Sequence, residues 1–447
     1  MTSDAMPLRN SIRDAECQVT LINLTRLLAI GQLVLIAVTW KLWTPQDVFP
    51  QVPLIRVACD WPGWIDWACL VVLVIASLML LIRPRQRRIA CAAMAGSLAT
   101  FFTLDQHRLQ PWAWQFFLLA ILLALADDTI AMRGWMWLTI SIYFWSAVSK
   151  LDYTFCHEQG PALLGGLKSA MGLRGIPNRW TEMIDIAGSL GVAAGELAVA
   201  VLLAWPRTRW FGVWAATIMH VALLAALGPL GLKHSAGVLM WNVFFIVQDW
   251  LLFVSTRLAP PPSFAKRTRS WSTRFRNWIN WPASLGNRMA IVAIIGAAAW
   301  PVLEPVGYCD HWLAWAVYSA RPGTVDLFSD LELQNLPIRQ EMVVIDIKGS
   351  PGAIPHHPLV CYRLDIAQWS LQELGVPAYP QHRFHVGVVR FLAHRYGFRG
   401  ELILWNPRSR WNGISASNNI GRIDESGADG LTRLSNSFLW NTRPREK

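Results

Sequence analysis

The chain is short of charge. Asp, Glu, Lys and Arg make up 15% of its 447 residues, whereas soluble domains carry about a quarter. That deficit excludes an ordinary soluble fold. A CxxC pair is also missing. The seven cysteines, at 17, 59, 69, 91, 156, 309 and 361, show no metal-like spacing and imply no disulfide framework. Those inside apolar runs read as small core residues. A cleavable signal peptide is not visible: some 18 polar residues come first, and the apolar run that follows is long enough to span a bilayer. No metal site is expected, since the pairs His356–His357 and His382–His385 read as surface or local structural groups.

What the chain has in abundance is apolar and aromatic. It is 53% hydrophobic and holds 26 tryptophans. Trp40, Trp43, Trp61, Trp64, Trp112, Trp210, Trp250 and Trp300 fall at the ends of apolar runs, where indole rings favour the headgroup layer. Runs of spanning length lie near 20–40, 64–82, 89–104, 113–131, 134–150, 185–204, 209–227, 235–254 and 289–303. The expected fold is an all-α polytopic membrane bundle of eight or nine transmembrane helices with a small C-terminal α+β extramembrane domain. Its parts are a cytoplasmic segment 1–18, a bundle 19–255, a basic loop 256–288, a last span 289–303 and a tail domain 304–447.

Orientation follows from the basic residues. With the N-terminus in the cytoplasm and nine spans, 17 of the 25 Lys and Arg before position 304 fall inside, including the cluster "RPRQRR" at 83–88. The net charge of +11 is mostly this bias. The stretch "AKRTRSWSTRFRNW" in the loop 256–288 reads as a contact for anionic lipid headgroups, and no nucleic-acid partner is expected. The odd span count puts the tail domain outside. There "EMVVIDIKGS" and "GELILWNP" read as strands, and "LDIAQWSLQELG" and "HRFHVGVVRFLAHRYG" as helices. Residues 412–447 are expected to be loosely ordered. Cys309 and Cys361 lie in this domain, and their pairing stays open. The domain is also a candidate surface for a protein partner.

Ionisable residues near membrane spans are expensive and need a reason. Three clusters stand out. "LDQHRLQPWAWQF" (104–116) holds Asp105, Gln106, His107, Arg108, Gln110 and Trp112. It reads either as a capped loop whose next helix starts at Pro111 or as the lining of a cavity. "SKLDYTFCHEQG" (149–160) holds Lys150, Asp152 and His157. Lys150 is there as a snorkelling anchor, a partner for Asp152, or an amine starved of water that acts as a base. "IMHVALLAALGPLGLKHSAGVLMWN" (218–242) holds His220 and His234, with Glu196 on the preceding helix as a candidate partner for His220. The clusters are expected either to share one outward-facing pocket or to be separate anchors.

The stretch "YFWSAVSKLDYTF" resembles the lysine-bearing segment of the vitamin K-dependent γ-carboxylase group, within the wider HTTM (horizontally transferred transmembrane) family. "LTRLLAIGQLVLI" is similar to that family's first helix, and Gln106-His107 occupies the place of its Asn-His segment. "GELAVAVLLAWPRTRWFGVWAATIMHVALL" is similar to a later helix pair ending in a histidine, matched by His220. The resemblance covers roughly residues 18–255. It implies Lys150 as the base that deprotonates a vitamin K-like hydroquinone, with His107 and His220 assisting, and hence a quinone cofactor. The tail is shorter than the carboxylases' lumenal region and has no counterpart of its propeptide-binding part. A second likeness, to small quinone- or thiol-coupled membrane proteins of the DoxX/MauE type, draws attention to Cys156. A non-enzymatic scaffold with a partner-binding outer domain is the third class.

Overall fold

A computed structural model of the chain describes residues 5–173, 181–254, 284–317, 325–329, 337–338, 340–345, 359–398, 400–405, 409–412, 417–423 and 434–445. Among the described residues ten α-helices longer than one turn come first: α1 (Ala5–Val38), α2 (Trp64–Ile82), α3 (Arg87–Leu104), α4 (Pro111–Leu125), α5 (Asp128–Lys150), α6 (Gly160–Ala170), α7 (Thr181–Ala204), α8 (Arg209–Leu227), α9 (Ala236–Asp249) and α10 (Leu285–Ala299). α9 runs on through a wide turn at Trp250–Val254. The chain then forms β1 (Val325–Ser329), β2 (Gln340–Ile345), β3 (Leu359–Leu364), α11 (Ile366–Leu374), α12 (His382–Tyr396), β4 (Gly400–Trp405) and β5 (Ser417–Ile423).

Six of these segments are long and apolar enough to cross a membrane: Ala15–Val38, Trp64–Ile82, Met183–Ala204, Arg209–Leu227, Ala236–Val254 and Leu285–Val306. Only 28–56% of each apolar window is buried against protein. The rest of the apolar surface, including Ile82, Val201, Phe211 and Ile218, faces outward. Water would penalise that surface by about 25 cal/mol per Å², whereas hydrocarbon does not. This is the architecture of an integral membrane protein.

Of the remaining long helices, α4 is the most buried. α4 starts at Pro111, which suits a first helical turn because its missing N–H has no partner to lose there, and most of its 15 residues are buried. The expected run 113–131 is broken at Ala126. Asp127 accepts the backbone N–H of Ile130 at 3.0 Å and so caps a new helix, α5, earlier than the apolar pattern places it. α5 packs on α7 and α10, α7 on α8, and α9 on α1 and α8. The helix α6 has no counterpart among the expected spans.

The tail is α+β. Its sheet has five antiparallel strands in the order β2-β3-β1-β4-β5, with Leu327 opposite both Leu364 and Leu402. α11 starts at a cap in which Asp365 accepts from the Gln368 N–H, and α11 and α12 both stop at glycines with positive φ, Gly375 and Gly397. The strands and helices read from sequence here are present. The end of the chain differs from expectation. Within 412–447, β5 forms the sheet edge and residues 434–445 are docked on the bundle, where Arg445 is buried. Charge does the docking: the Arg445 guanidinium reaches Asp66 of α2 at 2.6 Å and the carbonyls of Trp61 and Pro62.

The two parts share one apolar core, which runs from Leu21 and Leu28 of α1 to Trp369 and Phe384 of the tail helices. Not every terminal Trp sits where headgroups would be. Trp40, Trp64 and Trp300 are exposed, but Trp43 and Trp112 are buried edge-to-face against each other at 5.7 Å. The basic loop falls largely outside the described residues, as do its expected lipid contacts. Cys309 is a buried free thiol, and burial beside Asp310 and Glu304 pushes it up. The side chain of Cys361 lies outside the described residues.

Candidate functional site

Lys150 is the last residue of α5, and its side chain is 2% exposed. Two turns of helix place Tyr143, Ser146 and Lys150 at positions i, i+3 and i+7, one face of the helix. The Lys150 ammonium donates to Glu196 Oε2 at 2.8 Å, to Ser146 Oγ at 2.6 Å and to the Ser146 carbonyl at 3.3 Å. Glu196 comes from the middle of α7, the helix packed along α5. A buried pair of this kind is strongly destabilising to break, because either partner alone becomes an uncompensated charge.

The pair opens on a cavity of about 50 Å³, lined also by Ile142, Met219, Leu223, Trp241, Phe245 and Val317. Tyr143, His220 and Asn242 complete its wall. Their hydrogen bonds run in a line. Asn242 Nδ2 donates to the Val238 carbonyl at 2.8 Å, which turns its Oδ1 toward His220 Nδ1, also at 2.8 Å. His220 Nε2 lies 2.7 Å from the Tyr143 hydroxyl, and that hydroxyl lies 2.6 Å from Asp249 Oδ2. Behind Asp249, Gln248 Oε1 accepts from Trp135 Nε1 at 2.8 Å and from Gln115 Nε2 at 3.0 Å, while Gln115 Oε1 accepts from Trp241 Nε1. The arrangement offers a proton donor and acceptor at Lys150–Glu196 and an adjoining chain of hydrogen-bonded groups able to carry protons.

The first cluster is elsewhere. Asp105 accepts from the backbone N–H groups of His107 and Val52, at 3.1 and 3.2 Å. Arg108 forms an ion pair with Asp66 at 2.5 Å, so Asp66 is clasped by Arg108 and Arg445 together. Gln106 donates to the Asn441 carbonyl and accepts from Arg383 Nε, and Gln110 donates to the carbonyls of His107 and Pro377. His107 Nε2 donates to the Pro377 carbonyl at 2.9 Å and also lies 3.1 Å from Ser370 Oγ, with its ring between Phe49 and Phe384. Desolvation pushes His107 down to about 4 and raises Asp105 to about 6. None of Asp105, Gln106, His107, Arg108, Gln110 or Trp112 lines the cavity. Of the two arrangements open from the sequence, one pocket shared by all three clusters is not the one found: the first cluster lies apart from the cavity. The 105–110 cluster is a seam holding the tail domain, and the cavity takes Lys150, Glu196 and His220.

Two of the candidate pairings are not the ones found. Asp152 accepts from the N–H groups of Thr154 and Phe155, capping the turn after α5, while Lys150 is held by Glu196. Glu196 therefore serves Lys150, and His220 bonds to Tyr143 and Asn242. His157 stacks on Tyr153 with ring centroids 3.9 Å apart, and His234 accepts from the Ser235 N–H as α9 begins. Neither lines the cavity. The thiol of Cys156 is buried, which raises it away from the reactive thiolate. Sequence reading passed over Tyr143, Ser146, Asn242 and Asp249. The signal was present: a carboxylate inside the apolar run "FFIVQDWLLFV", seven residues after an asparagine on the same helix face. Among the described residues no three His, Cys, Asp or Glu gather as a metal site. No protein-family model, curated protein or solved structure matches the chain.

Proposed function

We propose that this is an integral membrane enzyme in which Lys150 is a general base acting on a weakly acidic, lipid-soluble substrate of the hydroquinone class. The observation that carries the reading is the buried Lys150–Glu196 pair on a cavity wall, with Nζ 2.8 Å from Oε2. Transfer of one proton from Nζ to Oε2 converts the ion pair into a neutral amine and a neutral acid. Net charge is unchanged, so the step needs no counter-ion in a poorly hydrated site. The free amine then accepts a proton from a substrate hydroxyl, leaving an oxyanion beside the Tyr143 and His220 side chains. General bases placed in this way contribute about 10²–10⁴-fold to rate.

The wider frame supports this reading. A quinone is soluble in the apolar phase that the six exposed helices require, and the resemblance of "YFWSAVSKLDYTF" to a lysine-base segment singles out the same residue. With α3, α4 and α5 counted alongside the six apolar segments, the bundle has nine passes. The N-terminus is then cytoplasmic, the tail domain and the Lys150 end of α5 are extracytoplasmic, and the loop 256–288 meets anionic headgroups. The buried state of Cys156 favours this reading over a thiol-redox one.

Native mass spectrometry of detergent-purified protein tests the cofactor: a retained prenylquinone is expected, and its absence across several detergents overturns the quinone assignment. Lys150→Arg tests the base, because guanidinium keeps the charge but does not release its proton. Loss of quinone turnover with intact membrane insertion is expected. An unchanged rate removes Lys150 from the chemistry.

A further inference from the structure

Asp249 is a carboxylate buried in an apolar helix, and the reaction just described does not use it. Its geometry defines a count of protons. Asn242 Oδ1 can only accept, so His220 Nδ1 is a donor and carries a hydrogen. Two links remain, Nε2 to the Tyr143 oxygen at 2.7 Å and that oxygen to Asp249 Oδ2 at 2.6 Å. Each is of hydrogen-bond length and each needs a proton, whereas the phenol has only one. An ionised Asp249 with a neutral His220 would set a bare nitrogen lone pair against an oxygen lone pair at 2.7 Å. It would also leave an uncompensated charge in a buried site, an expensive state inside a membrane protein.

We propose that His220, Tyr143 and Asp249 form a proton relay that holds one proton beyond the phenol's own and moves it between Asp249, behind the cavity, and His220, on its wall. In one state Asp249 is a carboxylic acid donating to the Tyr143 oxygen, and Tyr143 donates to His220 Nε2. In the other both protons have moved one bond along: Asp249 Oδ2–H breaks as Tyr143 O–H forms, and Tyr143 O–H breaks as His220 Nε2–H forms. The trio stays neutral overall, but the second state puts an imidazolium on the cavity wall and a carboxylate behind it. The ionisable groups that share this wall, Lys150 and Glu196, are themselves neutral as a pair. A cation at His220 then faces whatever anion forms in the cavity, with no proton drawn from water. Tyr143 and Asp249 are positioning residues that act through His220. This last role rests on the lysine-base reading, whereas the proton count does not.

The test reads the protons directly. Infrared spectra of the purified protein at neutral pH would report a protonated Asp249 as a deuterium-sensitive carboxylic acid band lost in Asp249→Asn. Nitrogen-15 spectra of histidine-labelled protein would report His220 as neutral or doubly protonated, assigned by its loss in His220→Gln. The relay predicts one of these two signals, or partial signals of both that sum to one proton. Absence of both, meaning an ionised Asp249 beside a neutral His220, overturns it. Tyr143→Phe, which removes both links with little change of volume, provides a second arm should Asp249→Asn fail to fold. With the links gone, Asp249 and His220 should titrate independently, and continued exchange of one proton between them would also overturn the relay. Neither readout depends on turnover, so a silent Lys150 leaves this result standing.

Discussion

Two buried polar clusters sit in one protein, and they differ in what their chemistry allows. In the seam, Asp66 is held by Arg108 and Arg445, all but sealed from solvent, with backbone carbonyls of Leu42, Trp61 and Pro62 taking further guanidinium donors. Arginine does not give up its proton, and none of these residues lines the cavity beside Lys150. At the cavity, the partners are Lys, Glu, His, Tyr and Asp, every one able to exchange a proton, beside space for a small number of waters. Burial of charge alone therefore does not mark a reactive site. Exchangeable protons next to open volume are what the proposed base chemistry requires.

The sharpest way to break this contrast is at Asp66. Asp66→Ala leaves two buried guanidinium groups facing each other, and should cost about 3–5 kcal/mol, seen as a large drop in thermal unfolding temperature in detergent and release of the C-terminal residues to proteolysis. A near-native melting curve would remove the seam's electrostatic role. Glu196→Ala strands the ammonium of Lys150 and should also destabilise, by about 3 kcal/mol. The distinguishing variant is Lys150→Ala with Glu196→Gln, which removes both charges and should recover much of that loss while leaving quinone turnover absent. Recovery of turnover along with stability would place the two clusters in one structural class.

A smaller effect comes from pH. Burial lowers His107 to about 4 and His385, which also feels His382 and His107, to about 3, each from an ordinary 6.5. Unfolded imidazoles take up protons that the folded ones refuse, so this stability is present above pH 6.5 and falls as pH drops toward 4. Asp105 works in the opposite sense. Raised from 3.8 to about 6, it favours the fold at low pH and loses that contribution as pH rises through 6. The two histidines outweigh the one carboxyl, so between pH 4 and 6 the net contribution of these three groups to stability should fall with acid, by about 1.4 kcal/mol per pH unit. Melting temperatures across that range check the sign, and His107→Gln should flatten the slope.

The smallest effect is steric. A side chain at Gly387 in α12 would put its Cβ 2.7 and 2.8 Å from the two methyls of Val52. Gly387→Ala should loosen the docked tail by about 1 kcal/mol, read as a lower thermal unfolding temperature and easier proteolytic release of residues 434–445, and Val52→Ala should restore it. No change in either would mean that this close approach has no energetic role in the seam.

Much of this was legible in the one-dimensional pattern. Apolar runs bounded by Pro111, Gly375 and Gly397 become helices, and "EMVVIDIKGS" and "GELILWNP" supply strands of a sheet. Lys150 stood out because an ammonium at the end of an apolar helix is costly wherever it lies. Its partner did not stand out. Glu196 is 46 residues away, and the nearer Asp152 was the obvious candidate until its carboxylate proved to be capping the next turn. Arg445 and Asp66 are 379 residues apart, and nothing local to either announces the other. Likewise His107 and Lys150 looked alike as polar residues beside apolar helices, yet one is wedged under the tail domain and the other lines a cavity.

By itself the sequence determined that the chain belongs in a bilayer, because hydropathy is a property of residues summed along a run and needs no partner to be read. It also marked some helix ends, at Pro111, Gly375 and Gly397, since caps and glycines act within a turn, but not the break at Ala126 or the helix α6. Only the tertiary structure decided which charges meet, which histidine reaches open space, and that the end of the chain returns to the first spans. Those outcomes depend on distances between segments remote in sequence, and they are set by the packing of the whole bundle.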